Sequence, residues 1–129
     1  MATIDETLLR ISGSKFRASF KLTKSEREYI AEKGMEVIRR HAGDFVRMKI
    51  ADAYPKNDGR QTPMHGHPAF KAMHACACCC RGCLEKWYRI PQGRALTENE
   101  QERIVRLLIA WIEKNRWCVC QAARARAVL

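Results

Sequence analysis

The chain has 129 residues, 47% of them hydrophobic and 29% charged, which suffices for one core of modest size and is too short for a multi-domain enzyme or a long repeat array. Lys plus Arg number 24 against 14 Asp plus Glu, a net +10 with histidine neutral; this favours a polyanionic partner, and the apolar content excludes a disordered basic tail. No run approaches the ~20 apolar residues of a membrane span, and the acidic start at Asp5 and Glu6 does not fit a signal peptide, so no membrane contact is expected.

In chain order, Leu8, Leu9 and Ile11 predict a short helix, broken by Ser12-Gly13-Ser14 and followed by a basic stretch, Lys15 to Lys21. Thr23 and Glu26 are spaced as a capping box and open a long helix carrying Ile30, Gly34, Val37, Ile38, His41, Phe45 and Met48 on one stripe to about Ile50, with Gly43 as a local weakness. Tyr54 to Pro68 holds three of the four prolines and the turn signal Asn57-Asp58-Gly59, so it reads as a long loop leading into the cysteines. Pro68 suits the first turn of a short helix through Phe70 and Met73, and a second short helix from about Cys80 carries Cys83, Leu84, Trp87 and Ile90 until Pro91. Thr97 and Glu100 repeat the capping box ahead of an amphipathic helix with Ile104, Leu107, Leu108, Trp111 and Ile112 on its core face. The Ala/Arg tail over 121–129 has helical propensity without apolar periodicity and is expected to fray. No segment alternates with a period of two, so the fold class is all-α, one domain over 1–129.

Five of the seven cysteines, Cys76, Cys78, Cys79, Cys80 and Cys83, lie within eight residues, too close for a spread disulfide framework, and point to a reducing cytoplasm. His65, His67 and His74 immediately precede them. Cys80 and Cys83 have the spacing that puts two thiolates on one ion at a helix start, where the helix dipole also favours the thiolate; His67 and His74 complete a tetrahedral set, with Cys79 as the substitute ligand. Soft sulfur with imidazole suits zinc. The plainer reading makes Cys76 and Cys78 small buried hydrophobes, and Cys118 and Cys120 structural or incidental. A thioredoxin-like redox motif lacks its strand-helix-strand context here.

Seven basic residues against three acids give residues 51–96 a net +4. Lys56, Arg60, Arg81, Lys86, Arg89 and Arg94 are the candidate phosphate contacts and Tyr88 the candidate stacking ring, with Trp87 assigned to the core; a merely solvated basic face explains the same charges. Asp58 is the best-placed general base beside a metal-bound water, although Asn57-Asp58-Gly59 is already explained as a turn.

Pro55-Lys56-Asn57-Asp58-Gly59, Gln61-Thr62-Pro63, Gly66-His67-Pro68, His74, the run Cys79-Cys80-Arg81-Gly82-Cys83-Leu84-Glu85-Lys86-Trp87 and Ile90-Pro91 together resemble the bacterial domain-of-unknown-function family DUF4186, over about Ser14 to Trp117. The resemblance implies that Lys56 to Gly93 is the distinctive part, and it implies no activity. The expectation is therefore a small basic zinc-binding helical domain that binds DNA or RNA. The alternatives are a small hydrolase-like, metal-dependent enzyme acting on nucleic acid or a phosphorylated ligand, and a protein-protein interaction module.

Overall fold

Seven helices and no strand are present among the described residues, which in this computed structural model are 3–128 for the backbone and 3–116 for the side chains. The helices are α1 (Ile4–Ser12), α2 (Lys15–Ala18), α3 (Lys24–Lys33), α4 (Met35–Lys49), α5 (Pro68–Ala75), α6 (Arg81–Tyr88) and α7 (Glu98–Val128). The all-α expectation holds. Both expected capping boxes are formed: Glu26 N–H donates to Thr23 Oγ1 and Thr23 N–H to Glu26 Oε1, and the Thr97–Glu100 pair does the same at α7. A third, between Thr3 and Glu6, opens α1.

The long helix expected from Thr23 to Ile50 is two helices. The chain turns at Gly34, whose φ of 83° and ψ of 154° end α3 and start α4. Apolar periodicity runs through this position because Gly34 lies one turn from both Ile30 and Ile38, so the stripe hides the break. Ile30 and Ile38 are buried as the stripe requires, but in α4 the buried line continues through Ala42 and Val46, which the expected stripe did not include, while Val37, His41 and Phe45 are half-buried and Met48 is 66% exposed. Gly43 sits within α4 without interrupting it.

α7 forms the spine: it packs on α4, α5 and α1, while α3 rests on α4 and α5, and α2 on α5. Leu8, Ile38, Met73, Leu84, Leu108 and Ile112 meet in the common core. Glu26 and Lys71, each almost wholly buried, face each other at 3.8 Å between α3 and α5. The backbone of α7 runs as helix to Val128.

Polar contacts fix the loop from residue 51 to 67 along its length, between a core-facing Ala51 and a ring-packed His67. Leu96 N–H donates to Ala51 O, Lys49 Nζ to Gln61 O, and Thr62 Oγ1 to Cys79 O at 2.8 Å. Asn57 and Gly59 take positive φ (58° and 98°), as the turn signal requires. At its end His67 caps α5, accepting Ala69 N–H on Nδ1 at 2.9 Å, with Pro68 in the first turn. α6 ends two residues earlier than expected, at Tyr88, with a left-handed Arg89 (φ 57°) as its cap.

Arg81 corrects the sequence reading most plainly. Expected to meet phosphates, it is 1% exposed. Its Nη1 donates to the carbonyls of Asp52 (2.7 Å) and Arg94 (2.9 Å), and its Nη2 to that of Pro91 (2.8 Å). A guanidinium has five donors in a fixed plane, which lets one side chain gather three carbonyls from two stretches of irregular backbone.

Candidate metal centre

The turn between α5 and α6 is tight. Cys78 N–H bonds back to Met73 O and Ala77 adopts a left-handed φ of 58°, so Cys79 and Cys80 arrive together at the start of α6. Cys80 is the N-cap: its Sγ accepts Cys83 N–H at 3.3 Å, leaving that sulfur at the positive end of the helix. The sulfurs of Cys79 and Cys83 lie 3.6 Å apart, and the three sulfurs of Cys79, Cys80 and Cys83 all fall within 4.8 Å of one another. Three sulfurs so close form a cluster that can hold a metal ion.

A cation faces the same cluster. Arg17 of α2 donates through Nη2 to Cys83 Sγ (3.2 Å) and through Nη1 to Cys79 Sγ (3.7 Å), while Nη1 also reaches the His74 carbonyl at 2.6 Å. Ser14 fixes this one-turn helix by accepting Arg17 N–H. Burial alone would lower the guanidinium's pKa, but its bonds to the two sulfurs outweigh that and hold it above the ordinary arginine value. The bond with Cys83 and the bond from Arg17 pull the Cys79 thiol below its usual pKa against the cost of burial. Cys83, hydrogen-bonded to Cys79, and Cys80, desolvated, are both shifted upward. Of the three sulfurs, that of Cys79 is the one whose ionisation is eased, while those of Cys80 and Cys83 hold their protons more tightly than a free thiol. The sequence reading missed Arg17: it lies in a stretch with no distinguishing pattern, some sixty residues from its sulfur partners.

The two histidines expected to join the cysteines are placed differently. His67 is buried, with Nδ1 on Ala69 N–H and Nε2 3.0 Å from His41 Nδ1, within a ring cluster of Tyr29, Phe45 and Phe70. Accepting on Nδ1 requires the proton on Nε2, which then donates to His41. Burial, followed by the neighbouring His41, lowers its pKa to about 4. His74 stacks on Phe20 and its Nε2 lies 3.0 Å from Thr62 O. Neither imidazole belongs to the group of three sulfurs. Cys76 and Cys78 are fully buried with thiol pKa values pushed up by desolvation, in keeping with small core hydrophobes. The side chains of Cys118 and Cys120 lie outside the described residues.

Three of the candidate nucleic-acid residues are already engaged within the fold. Besides the buried Arg81, Tyr88 is half-buried, with its hydroxyl donating to Cys76 O and the Arg10 guanidinium over its ring. Arg94 makes a two-pronged ion pair with Glu100 at 2.7 and 2.8 Å. Lys56, Arg60, Lys86 and Arg89 are exposed. Asp58 Oδ1 accepts both Arg81 N–H (2.9 Å) and Gln61 Nε2 (2.8 Å), a capping role at α6. Among the described residues no helix is long and apolar enough to cross a membrane.

No solved structure matches the chain. Its sequence matches the family described as Domain of unknown function (DUF4186) over residues 5–113, a span that contains every helix from α2 to α6 and the whole cysteine cluster. The chain is a member of the DUF4186 family.

Proposed function

We propose that the protein is a zinc-binding helical domain in which Cys79, Cys80 and Cys83 hold the ion. The observation that carries this reading is the convergence of the three sulfurs within 4.8 Å, with Arg17 donating to two of them. Three thiolates around a divalent cation carry a net charge of −1, and one arginine in contact brings the assembly to neutrality, which lowers the cost of half-burying it. Soft sulfur donors select zinc over the harder divalent ions. The ion's role on this reading is structural: it fastens the start of α6 to the end of α5, next to a loop fixed by several polar contacts, and metal binding there adds folding free energy directly. The net charge of +10 supports an anionic partner without distinguishing nucleic acid from other polyanions.

Elemental analysis of protein purified without a histidine tag tests the reading. One zinc per chain is expected, lost in Cys80→Ser and Cys83→Ser and kept in Cys76→Ala, with a clear fall in Tm after chelation. Substoichiometric metal together with an unchanged Tm in chelator would refute it. X-ray absorption then counts the ligands: three sulfurs with a fourth protein donor fit a structural ion, and three sulfurs with an exchangeable oxygen fit the hydrolase-like alternative.

A further inference from the structure

A cleft of about 650 Å³ lies on another part of the molecule, between the start of α1, the end of α6 and the exposed side of α7. Five arginines line it: Arg10 from α1, Arg89 from the left-handed end of α6, Arg94 from the following turn, and Arg103 and Arg106 from α7. Glu100 is the one acid among its lining residues, so the cleft holds a net charge of +4. Arg94 is paired with Glu100 and Arg106 with Glu102, whereas Arg89 and Arg103 have no ion-pair partner among the described residues. Like charges drawn from three separate segments into one concavity repel one another unless an anion joins them.

Two further features separate this cleft from a solvated basic surface. The Arg10 guanidinium is held in place: it donates to the Trp87 carbonyl and lies 5.7 Å from the Trp87 ring centroid and 5.6 Å from that of Tyr88. A planar fork fixed against two rings has little rotamer freedom left to lose on binding an oxyanion. Between the arginines the wall is apolar, built from Ile4, Ile90, Ile104 and Leu107. A cavity of a few hundred cubic ångströms with an apolar wall and a few convergent polar groups has the dimensions of a small-molecule site, whereas a nucleic-acid backbone is tracked by an extended stripe of charge.

We propose that this cleft binds a small polyphosphorylated molecule bearing a planar, largely apolar group, of the class of nucleoside diphosphates, with the arginines on the phosphates and the planar group against the isoleucine wall. The proposal is independent of the metal reading, because none of the three clustered cysteines lines the cleft.

Calorimetric titration of the full chain as purified tests it, with adenosine and guanosine diphosphates, adenosine, inorganic pyrophosphate and a ten-nucleotide single strand as probes. Saturable one-to-one binding is expected for at least one of the two diphosphates, tighter than for adenosine and for pyrophosphate by about tenfold or more. Losing a charged hydrogen-bond donor, Arg103→Ala should weaken the diphosphate about ten- to a hundredfold, and Arg60→Ala, outside the cleft, should leave it unchanged. Arg103 is exposed, so the variant should keep the wild-type Tm; if it does not, Arg106→Ala takes its place with the same expectation. The proposal is overturned if neither diphosphate saturates at millimolar concentration, if pyrophosphate or the single strand binds as tightly as the better diphosphate, or if the cleft variant binds as wild type does.

Discussion

Arg17 shows how one side chain can set the chemistry of a site that lies far from it in the chain. Its two donors end on Cys79 and Cys83, and a third contact, to the His74 carbonyl, ties the guanidinium to the last turn of α5. Hydrogen bonds from a cation stabilise sulfur as thiolate; after the bond with Cys83, it is Arg17 that draws the Cys79 pKa down, and on the proposed metal reading the same contact favours loading of the cluster. Replacing Arg17 with Gln keeps a donor and removes the charge. Competition against a colorimetric chelator should then show metal affinity about 10- to 100-fold weaker, the range found for residues that bond to metal ligands, with Arg17→Lys falling between the two. Unchanged affinity in Arg17→Gln would mean that the guanidinium only packs there.

At the scale of the elements, Gly34 is the joint on which the N-terminal half turns. Its φ of 83° with ψ of 154° lies in a region of backbone space open essentially to glycine, and nothing stands within 4 Å of where a Cβ would project. Gly34→Ala therefore meets backbone strain without a side-chain clash, and should cost about 1–3 kcal/mol in urea denaturation with the m-value unchanged. A cost near zero would show that α3 and α4 can re-angle freely. This joint was not legible in the sequence, because a stripe at three-four spacing reads the same whether the helix is continuous or broken at a small residue on the stripe. The capping boxes at Thr23 and Thr97 were legible, since both partners lie within one turn and the pattern contains its own geometry. The site divides along the same line. Cys79, Cys80 and Cys83 occupy the N-cap region of a single helix, and their spacing alone brings the sulfurs together. His67 and His74 were proposed as ligands from proximity in sequence, but an imidazole serves equally as a cap or a carbonyl partner, and only tertiary packing around Tyr29, Phe45 and Phe20 chooses between these. Arg81 was read as surface charge because the irregular carbonyls it gathers come from two separate stretches, 52 and 91–94.

For the whole molecule, the packed imidazole of His67 makes stability depend on pH. His67 is held neutral: its Nδ1 lone pair is used by Ala69 N–H, its ring is enclosed, and its pKa falls from the ordinary 6.5 to about 4. The unfolded chain therefore binds a proton that the folded chain refuses throughout the interval between those values. Stability conferred by this ring is full above pH 6.5 and drains away as pH falls toward 4. Glu100 works in a lower window, its carboxyl drawn from the ordinary 4.5 to about 2 by Arg94, so its contribution is present above 4.5 and lost as pH falls toward 2. Acid also competes with a metal for thiolates, which makes the raw pH profile of the wild type a sum of causes. The comparison that isolates the imidazole is His67→Asn, because asparagine still caps α5 but does not titrate. Urea midpoints measured at pH 7.5 and pH 5 should draw closer together in the variant than in the wild type, while the metal-dependent part of the slope stays the same in both. Equal slopes in the two proteins would mean that the fold opens around His67 to let it take up its proton, and that the ring cluster joining α3, α4 and α5 is looser than its packing indicates.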